Sequence, residues 1–273
     1  MNTSGRWLRV CLIVGAVTAA LFPAYWTLVA SVTPEADLFA TPTLFPTTPV
    51  LDHYRALFTQ RGFWLPIRNS LVVAGTTTLF CVTVGGLCAY ALARLRFPWK
   101  TQILGIILAV TMFPQIAIVS PLYLVLRAVG LINTYPGLVL PYLTFAMPLT
   151  VWLLVGFFRQ LPRELEEAAC IDGASRLRTL WEIILPLSVP GLATTAILTF
   201  VYCWNEFLFA LAFTLGPERQ TVPVALALFR GQYQISWGQI LAAATIATAP
   251  VTVLILIFQR RIVQGLTTGA VKG

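Results

Sequence analysis

Long apolar runs alternate with short polar stretches along the whole chain. Because about 20 apolar residues suffice to cross the hydrocarbon layer, the pattern predicts a membrane protein with several spanning helices. We place the predicted spans at residues 10–32, 69–93, 101–126, 136–158, 187–211 and 237–258. The first run resembles a signal peptide, but it is too long and no small-x-small cleavage site follows it. We interpret it as an uncleaved span, with a cleaved signal as the less favoured alternative.

Two polar segments flank these spans. Residues 33–68 form a proline-rich linker, in which residues 51–58 have the composition of a short helix lying at the membrane surface. Residues 259–273 form a terminal tail whose glycines and threonines give it no apolar face to bury. We expect residues 1–273 to form a single transmembrane domain.

The polar stretch at residues 159–186 predicts two short helices joined by a turn. The first begins after Pro162, where proline is tolerated and the acidic residues that follow favour the positive end of the helix dipole. It ends at Asp172-Gly173, because glycine adopts the left-handed C-terminal conformation without steric cost. Four apolar residues lie at helical spacing on one side of the second helix, Leu177, Leu180, Trp181 and Ile184.

The same stretch, which we call the signature loop, carries a spaced motif. It consists of Glu167-Ala168-Ala169, then Gly173 after three residues, Ile183 after nine more, and Leu185-Pro186. This motif resembles the E-A-A-x3-G-x9-I-x-L-P signature of binding-protein-dependent ABC importer permeases at every fixed position. An ordinary polar loop with a chance match is the alternative. Four further segments resemble the carbohydrate branch of that family, the MalG-like type: Arg94–Pro98, Met112–Pro114, Trp204–Glu206 and Gly265–Gly273.

The resemblance implies an all-α polytopic membrane protein with six transmembrane helices, of the ABC importer permease (MetI/MalG-like) fold. It also implies that the signature loop is cytoplasmic and docks on a separate ATPase, with Glu167 available to pair with a cation there. The residues implied in this contact are Glu166, Glu167, Ala168, Ala169, Asp172, Gly173, Ala174, Ile183, Leu185 and Pro186.

The implied partners follow from the same resemblance. They are a second permease subunit, an ATPase subunit dimer that binds ATP and Mg²⁺, an extracytoplasmic sugar-binding protein and a sugar. The resemblance favours a distinct homologue as the second permease, although the sequence leaves a second copy of this chain open. No cofactor or metal is expected on the chain itself.

Composition and charge agree with a membrane location. Hydrophobic residues make up 58% of the chain and charged residues 10%, which excludes a soluble globular domain. The net charge of +8 does not indicate nucleic acid, because the cations lie at the ends of apolar runs. With the N-terminus inside, 12 of the 18 Lys and Arg residues are cytoplasmic. The positive-inside rule therefore places both termini and the signature loop on the cytoplasmic side. We expect a multi-pass protein of the cell (inner) membrane.

The residue inventory argues against chemistry on this chain. The two lysines, Lys100 and Lys272, do not end a phosphate-binding Gly-x4-Gly-Lys-Ser/Thr loop, so the nucleotide site must lie on another polypeptide. His53 is the only histidine, and the five cysteines have no paired spacing. We therefore expect a transport subunit and not an enzyme.

Polar side chains within the predicted spans are candidates for the solute path, because such groups are costly in lipid. Thr195, Thr199, Tyr202 and Glu206 share one face of the fifth predicted span, and Gln115 adjoins a proline in the third. The residues predicted to border the path are Gln115, Thr199, Tyr202, Asn205 and Glu206. The alternative is helix packing, where threonines commonly form hydrogen bonds.

Two other function classes remain to be compared with the sugar importer permease. A secondary transporter of a small polar solute would couple an ion through intramembrane ionisable residues, and Glu206 is the only candidate. A membrane-embedded hydrolase would need a catalytic pair, which the chain does not offer. The leading expectation is a permease subunit that forms half of the pathway for a sugar, whose identity the sequence does not specify.

Overall fold

The computed structural model describes residues 3–40, 44–46, 48–229 and 236–270, and within these ranges it describes side chains from residue 7 to residue 259. Every regular element in these ranges is helical, which confirms the all-α prediction. The helices are α1 (Thr3–Ser31), α2 (Asp52–Thr59), α3 (Trp64–Arg94), α4 (Lys100–Val110), α5 (Gln115–Ala128), α6 (Tyr135–Gln160), α7 (Glu164–Ile171), α8 (Arg176–Thr179), α9 (Leu185–Leu187), α10 (Val189–Trp204), α11 (Leu208–Phe213), α12 (Val222–Ala227) and α13 (Trp237–Ala270). A π-helical segment, Leu180–Ile184, joins α8 to α9.

Within the described residues, four helices are long and apolar enough to cross a membrane, namely α1, α3, α6 and α13. Two bent pairs bring the number of candidate spans to six if each pair counts as one span. The first pair is α4 with α5, bent by 89°, and the second is Arg176–Leu187 with α10, bent by 77°.

Two of the predicted spans are broken in the structure. The span predicted at residues 101–126 divides between α4 and α5, where Pro114 precedes α5 and has no backbone N–H with which to continue the ladder of α4. The span predicted at residues 187–211 ends at Trp204 and resumes as α11. The sequence predicts that Pro114 and Pro121 interrupt the first of these spans. The structure shows a break only at Pro114, because Pro121 lies within α5. The break after Trp204 is not predicted from the sequence.

The last helix is longer than the sequence suggests. Its backbone remains helical to Ala270, so most of the predicted polar tail continues α13. The remaining residues, 271–273, lie outside the described part of the chain, as do the side chains from residue 260 onward. The short helix predicted at residues 51–58 is present as α2, Asp52–Thr59. Its position at the membrane surface stays a prediction.

The chain divides into two compact units, of which the first comprises residues 1–64 and 225–250. In this unit the Glu35 carboxylate accepts backbone N–H groups from Trp237 at 2.8 Å and Gly238 at 3.0 Å, which caps the start of α13. The His53 ring lies against Gly238 so closely that a Cβ there would collide with it. His53 Nε2 lies 2.9 Å from the Thr33 carbonyl oxygen. The only histidine therefore has a packing role in this structure.

The second unit comprises residues 65–224 and 251–273. One buried cluster contains aromatic side chains of α6 and α11. Phe209 and Phe213 of α11 stack on each other, and Phe145 of α6 packs against Phe209 at a tilt of 35°. A second cluster contains residues from the C-terminal half of α3, from α6 and from the π segment. Leu180 and Ile184 of the π segment are 2% and 0% exposed. This second cluster attaches the signature loop to the helices that precede it.

Candidate functional site

The signature loop forms the predicted pair of helices. Its first helix, α7, begins at Glu164 and ends at Ile171, and Gly173 follows with φ +80°. Backbone hydrogen bonds from Gly173 to the Cys170 carbonyl, 3.1 Å, and from Ala174 to the Ala169 carbonyl, 2.9 Å, close the end of the helix. The positive φ is the reason why glycine is required at the turn. The predicted helix boundaries and turn are confirmed.

An arginine from outside the loop holds it in place. Arg94, the last residue of α3, has a side chain that is only 2% exposed. Its Nη2 donates to the Leu161 carbonyl oxygen at 2.6 Å, and its Nε lies 3.4 Å from Oε1 of Glu166. The 23% exposure of the Glu166 side chain leaves this ion pair largely shielded from water. Arg94 therefore ties both the start of the loop and α7 to the end of α3.

Sequence analysis did not assign this role to Arg94. In the sequence, Arg94 is one of the cations at the ends of apolar runs and begins the Arg94–Pro98 segment that resembles the family. The contact with Leu161 spans 67 positions, so no local spacing indicates it. The motif around Arg94 was the one available signal.

The second helix of the loop does not bury its apolar side as a unit. Leu180 and Ile184 are buried, whereas Leu177 is 67% and Trp181 is 64% exposed. The π segment begins at Leu180 and changes the angular register along the helix, because a π turn contains more residues than an α turn. Together with Ile171, 87% exposed, these side chains leave large apolar groups on the loop surface, which is typical of an interaction site.

The predicted contact residues of the loop differ in accessibility. Those that are exposed are Glu167, Ala168, Asp172, Gly173 and Pro186, and those partly buried are Glu166, Ala174, Ile183 and Leu185. Ala169 is 4% exposed and faces the protein interior. Successive residues of a helix point about 100° apart, so only Ala168 of the alanine pair lies on the outer surface. Glu166 pairs with Arg94, whereas the acidic side chains of Glu167 and Asp172 are exposed.

The candidate path residues fall into two groups. Thr199 is fully buried, and its hydroxyl lies 2.8 Å from that of Thr150, so it joins α10 to α6. Glu206 is 7% exposed, and its oxygens accept backbone N–H groups from Phe209 at 2.8 Å and Ala210 at 3.1 Å. Asn205, which follows the end of α10, is exposed, and its side chain donates to the Val201 carbonyl oxygen of that helix. These three polar residues have internal partners.

Gln115 and Tyr202 form the second group. Gln115 Nε2 donates to the Tyr202 hydroxyl at 2.6 Å, which connects the start of α5 to α10. Both residues line a groove of about 590 Å³. The other residues that line it are Leu108, Thr111, Phe113, Phe145, Leu149 and Trp152. Of the five predicted path residues, the structure thus brings these two together at an open surface.

The two groups predict different reactivity towards a water-soluble thiol reagent. In a chain without native cysteines, cysteine at position 115 is expected to react, because Gln115 lines the open groove. Cysteine at position 199 is expected to stay unreactive, since Thr199 is 0% exposed. Cysteine at position 198 serves as the neighbouring control, because Leu198 is 38% exposed outside the groove. Equal labelling of positions 115 and 199 would contradict this distinction.

Comparisons with known proteins agree on one family. The family described as binding-protein-dependent transport system inner membrane component matches residues 81–268. The chain is 45% identical over 256 residues, 93% of each chain, to the trehalose transport system permease protein SugB of Mycobacterium tuberculosis. It is 42% identical over 271 residues, 97% of each chain, to the trehalose/maltose transport system permease protein MalG of Thermococcus litoralis.

Solved structures show the same fold. A bacterial ABC transporter involved in the import of the acidic polysaccharide alginate contains a chain that matches with a TM-score of 0.80 at 21% identity. The match covers 95% of this chain and 98% of that one. At this identity the similarity is one of fold. The region that matches the family contains both the signature loop and the groove.

Proposed function

This chain belongs to the family of binding-protein-dependent transport system inner membrane components, and from that premise we propose that it forms half of the translocation pathway of an ATP-driven saccharide importer. The resemblance seen in the signature loop is thereby confirmed, and the chain is a permease subunit and not an enzyme. The observation that carries the proposal is the loop itself, which is anchored by Arg94 and still presents Glu167 and Trp181 to the surroundings.

The signature loop, in this proposal, docks on a separate ATPase. The exposed Leu177 and Trp181 supply apolar contact area, and Glu167 supplies a charge for a cation on the partner. ATP and Mg²⁺ bind to the ATPase subunit dimer. Because Arg94 fixes the loop to α3, a displacement of the loop by the ATPase would be transmitted to α3.

The remaining partners are proposed from the family and from the relatives. The family description names dependence on a binding protein, so we propose an extracytoplasmic saccharide-binding protein as donor. The relatives named for trehalose and maltose transport favour a saccharide as solute. We propose a distinct homologue as the second permease, a single transmembrane domain over residues 1–273, and cytoplasmic termini in accordance with the positive-inside rule.

The ion-coupled alternative depends on Glu206, and its environment does not favour that role. Both carboxylate oxygens accept backbone N–H groups at the start of α11, and the side chain is buried. A carboxylate bound in this way stabilises a helix end. Family membership also favours the ATP-driven importer over a secondary transporter.

The proposed partners can be tested by purification. The chain, expressed with an ATPase and a binding protein of its own cell, should co-purify with both when the binding protein is loaded, and the co-purified saccharide can be identified by mass spectrometry. Cysteine at position 181 should cross-link to the ATPase, whereas cysteine at position 80, an exposed site on α3, should not. Cross-linking from position 80 alone would contradict docking through the loop.

The terminal tail is expected to contribute to the same contact. Deleting Thr267–Gly273 should lower the ATPase activity of the assembled complex that is stimulated by the loaded binding protein. This expectation rests on the family resemblance of Gly265–Gly273, since the side chains there lie outside the described residues. ATPase rates in proteoliposomes provide the measurement, with the amount of assembled complex as control. An unchanged rate would assign no function to the tail.

A further inference from the structure

The groove that contains Gln115 and Tyr202 combines polar and aromatic side chains beside a break in the helices. Its first wall comes from the break between α4 and α5, where the two helices meet at 89°. The α6 helix also lines it, with Phe145, Leu149 and Trp152, and α10 contributes Tyr202. The volume of about 590 Å³ lies within the usual range of small-molecule sites.

The polar side chains of the groove retain hydrogen-bonding capacity that the protein does not fill. After Gln115 Nε2 donates to Tyr202, the Gln115 carbonyl oxygen can still accept a hydrogen bond and the Tyr202 hydroxyl can still donate one. Within the described part of the chain, the structure shows no other partner for either atom. A polar pair of this kind is costly if it faces lipid. Its remaining capacity fits a ligand with neighbouring hydroxyl groups.

Two aromatic side chains in the groove are accessible to a ligand. Trp152 is 50% and Phe113 is 64% exposed. The ring of a sugar has a face of C–H groups that packs against aromatic rings, while its hydroxyl groups point outward and form hydrogen bonds. Aromatic surface next to a donor and an acceptor is therefore the combination that a saccharide requires.

The charge of the lining narrows the class of saccharide. No Asp, Glu, Lys, Arg or His is among the described residues that line the groove. An acidic saccharide would lose its hydration there without gaining a cation, which is unfavourable. A neutral saccharide loses no charge hydration and keeps its hydrogen bonds.

We propose that this groove is a subsite for a neutral saccharide on the permease itself, with Trp152 and Phe113 packing against the sugar ring and Gln115 and Tyr202 bonding its hydroxyl groups. The proposal rests on the proposed function as a saccharide importer. It assigns part of the solute selectivity to this chain in addition to the binding protein.

The test uses the complete importer in proteoliposomes with ATP inside. Uptake is measured for trehalose, for maltose and for a disaccharide that contains glucuronic acid. Trp152→Leu and Gln115→Leu are expected to lower uptake of the neutral disaccharide by roughly tenfold, the size expected for the loss of about one hydrogen bond or ring contact. Trp152→Phe keeps a ring and should retain most of the uptake. Phe80→Leu, at an exposed aromatic residue outside the groove, is the matched control.

A second measurement separates a binding role from a structural one. The amount of assembled complex and the ATPase stimulation by loaded binding protein should remain at wild-type values in both groove variants. If uptake falls only in proportion to the amount of complex, the groove is a contact with the second permease or with lipid, and the subsite is refuted. Wild-type uptake by both variants, or uptake of the acidic disaccharide alone, would also refute it. If the wild-type importer shows no ATP-driven uptake of any saccharide, the proposed function itself is overturned.

Discussion

Replacing Gly173 by proline is expected to abolish ATP-driven uptake while the chain remains in the membrane at its normal level. Gly173 has φ +80°, whereas the proline ring fixes φ near about −65°. Proline also removes the N–H that Gly173 donates to the Cys170 carbonyl oxygen. The turn between α7 and α8 therefore cannot form, and Glu167 and Trp181 lose their arrangement on the surface of the loop.

Asparagine at position 173 is the matched control, because it adopts positive φ more readily than other side chains. A Cβ at this position meets no atom within 4 Å, so the Asn variant should keep most of the uptake. Glu167→Lys should also abolish uptake, since it reverses the exposed charge of the motif. Uptake in a strain that lacks the native gene, measured beside membrane levels of the chain, decides the matter. If Gly173→Pro keeps wild-type uptake, the loop does not couple the permease to the ATPase.

Replacing Arg94 by methionine is expected to uncouple ATP hydrolysis from uptake. The change leaves Glu166 without its cation and the Leu161 carbonyl without its donor. Removing one partner of a buried ion pair lowers stability by about 3–5 kcal/mol. A loss of this size is large for the attachment of a short loop. We expect the loop to detach from α3, so that the ATPase turns over without moving the permease.

Two control variants make this prediction specific. Arg178→Met removes the exposed pair with Glu182, whose side chains are 64% and 59% exposed, and an exposed pair contributes about 0.5 kcal/mol or less. It should leave the attachment of the loop to α3 unchanged. The double variant Arg94→Met, Glu166→Met removes both charges and should recover part of the loss. Hydrogen exchange of the backbone amides in residues 161–171 measures detachment directly, and unchanged exchange in Arg94→Met would contradict the anchoring role.

The local structure of the loop could be predicted because each of its signals lies within a few residues. Pro162 and the acidic residues after it indicate a helix start, and Gly173 indicates its end. The anchoring by Arg94 could not be predicted in this way, because it joins residues that are far apart in the sequence. The exposure of Leu177 and Trp181 was also not predicted, because an α-helical period does not reveal the π segment that begins at Leu180 and contains Trp181.

The candidate path residues show a different limit of sequence reasoning. A periodicity of four and three places Thr199, Tyr202 and Glu206 on one face, but it does not show what that face contacts. The structure places Thr199 against α6 and uses Glu206 to cap α11. Only the side chain of Tyr202 reaches the groove, where its partner Gln115 comes from the break at Pro114. Sequence analysis noted that proline but not the 89° bend.

The energy source for uptake tests the central claim most directly. Proteoliposomes that contain this chain, the second permease and the ATPase are supplied with loaded binding protein outside, and labelled saccharide is measured inside. ATP-driven import through this chain predicts uptake that requires enclosed ATP and Mg²⁺, that stops without the binding protein, and that persists when ionophores remove every ion gradient. Uptake by this chain alone, driven by a proton or sodium gradient without ATP, would contradict it.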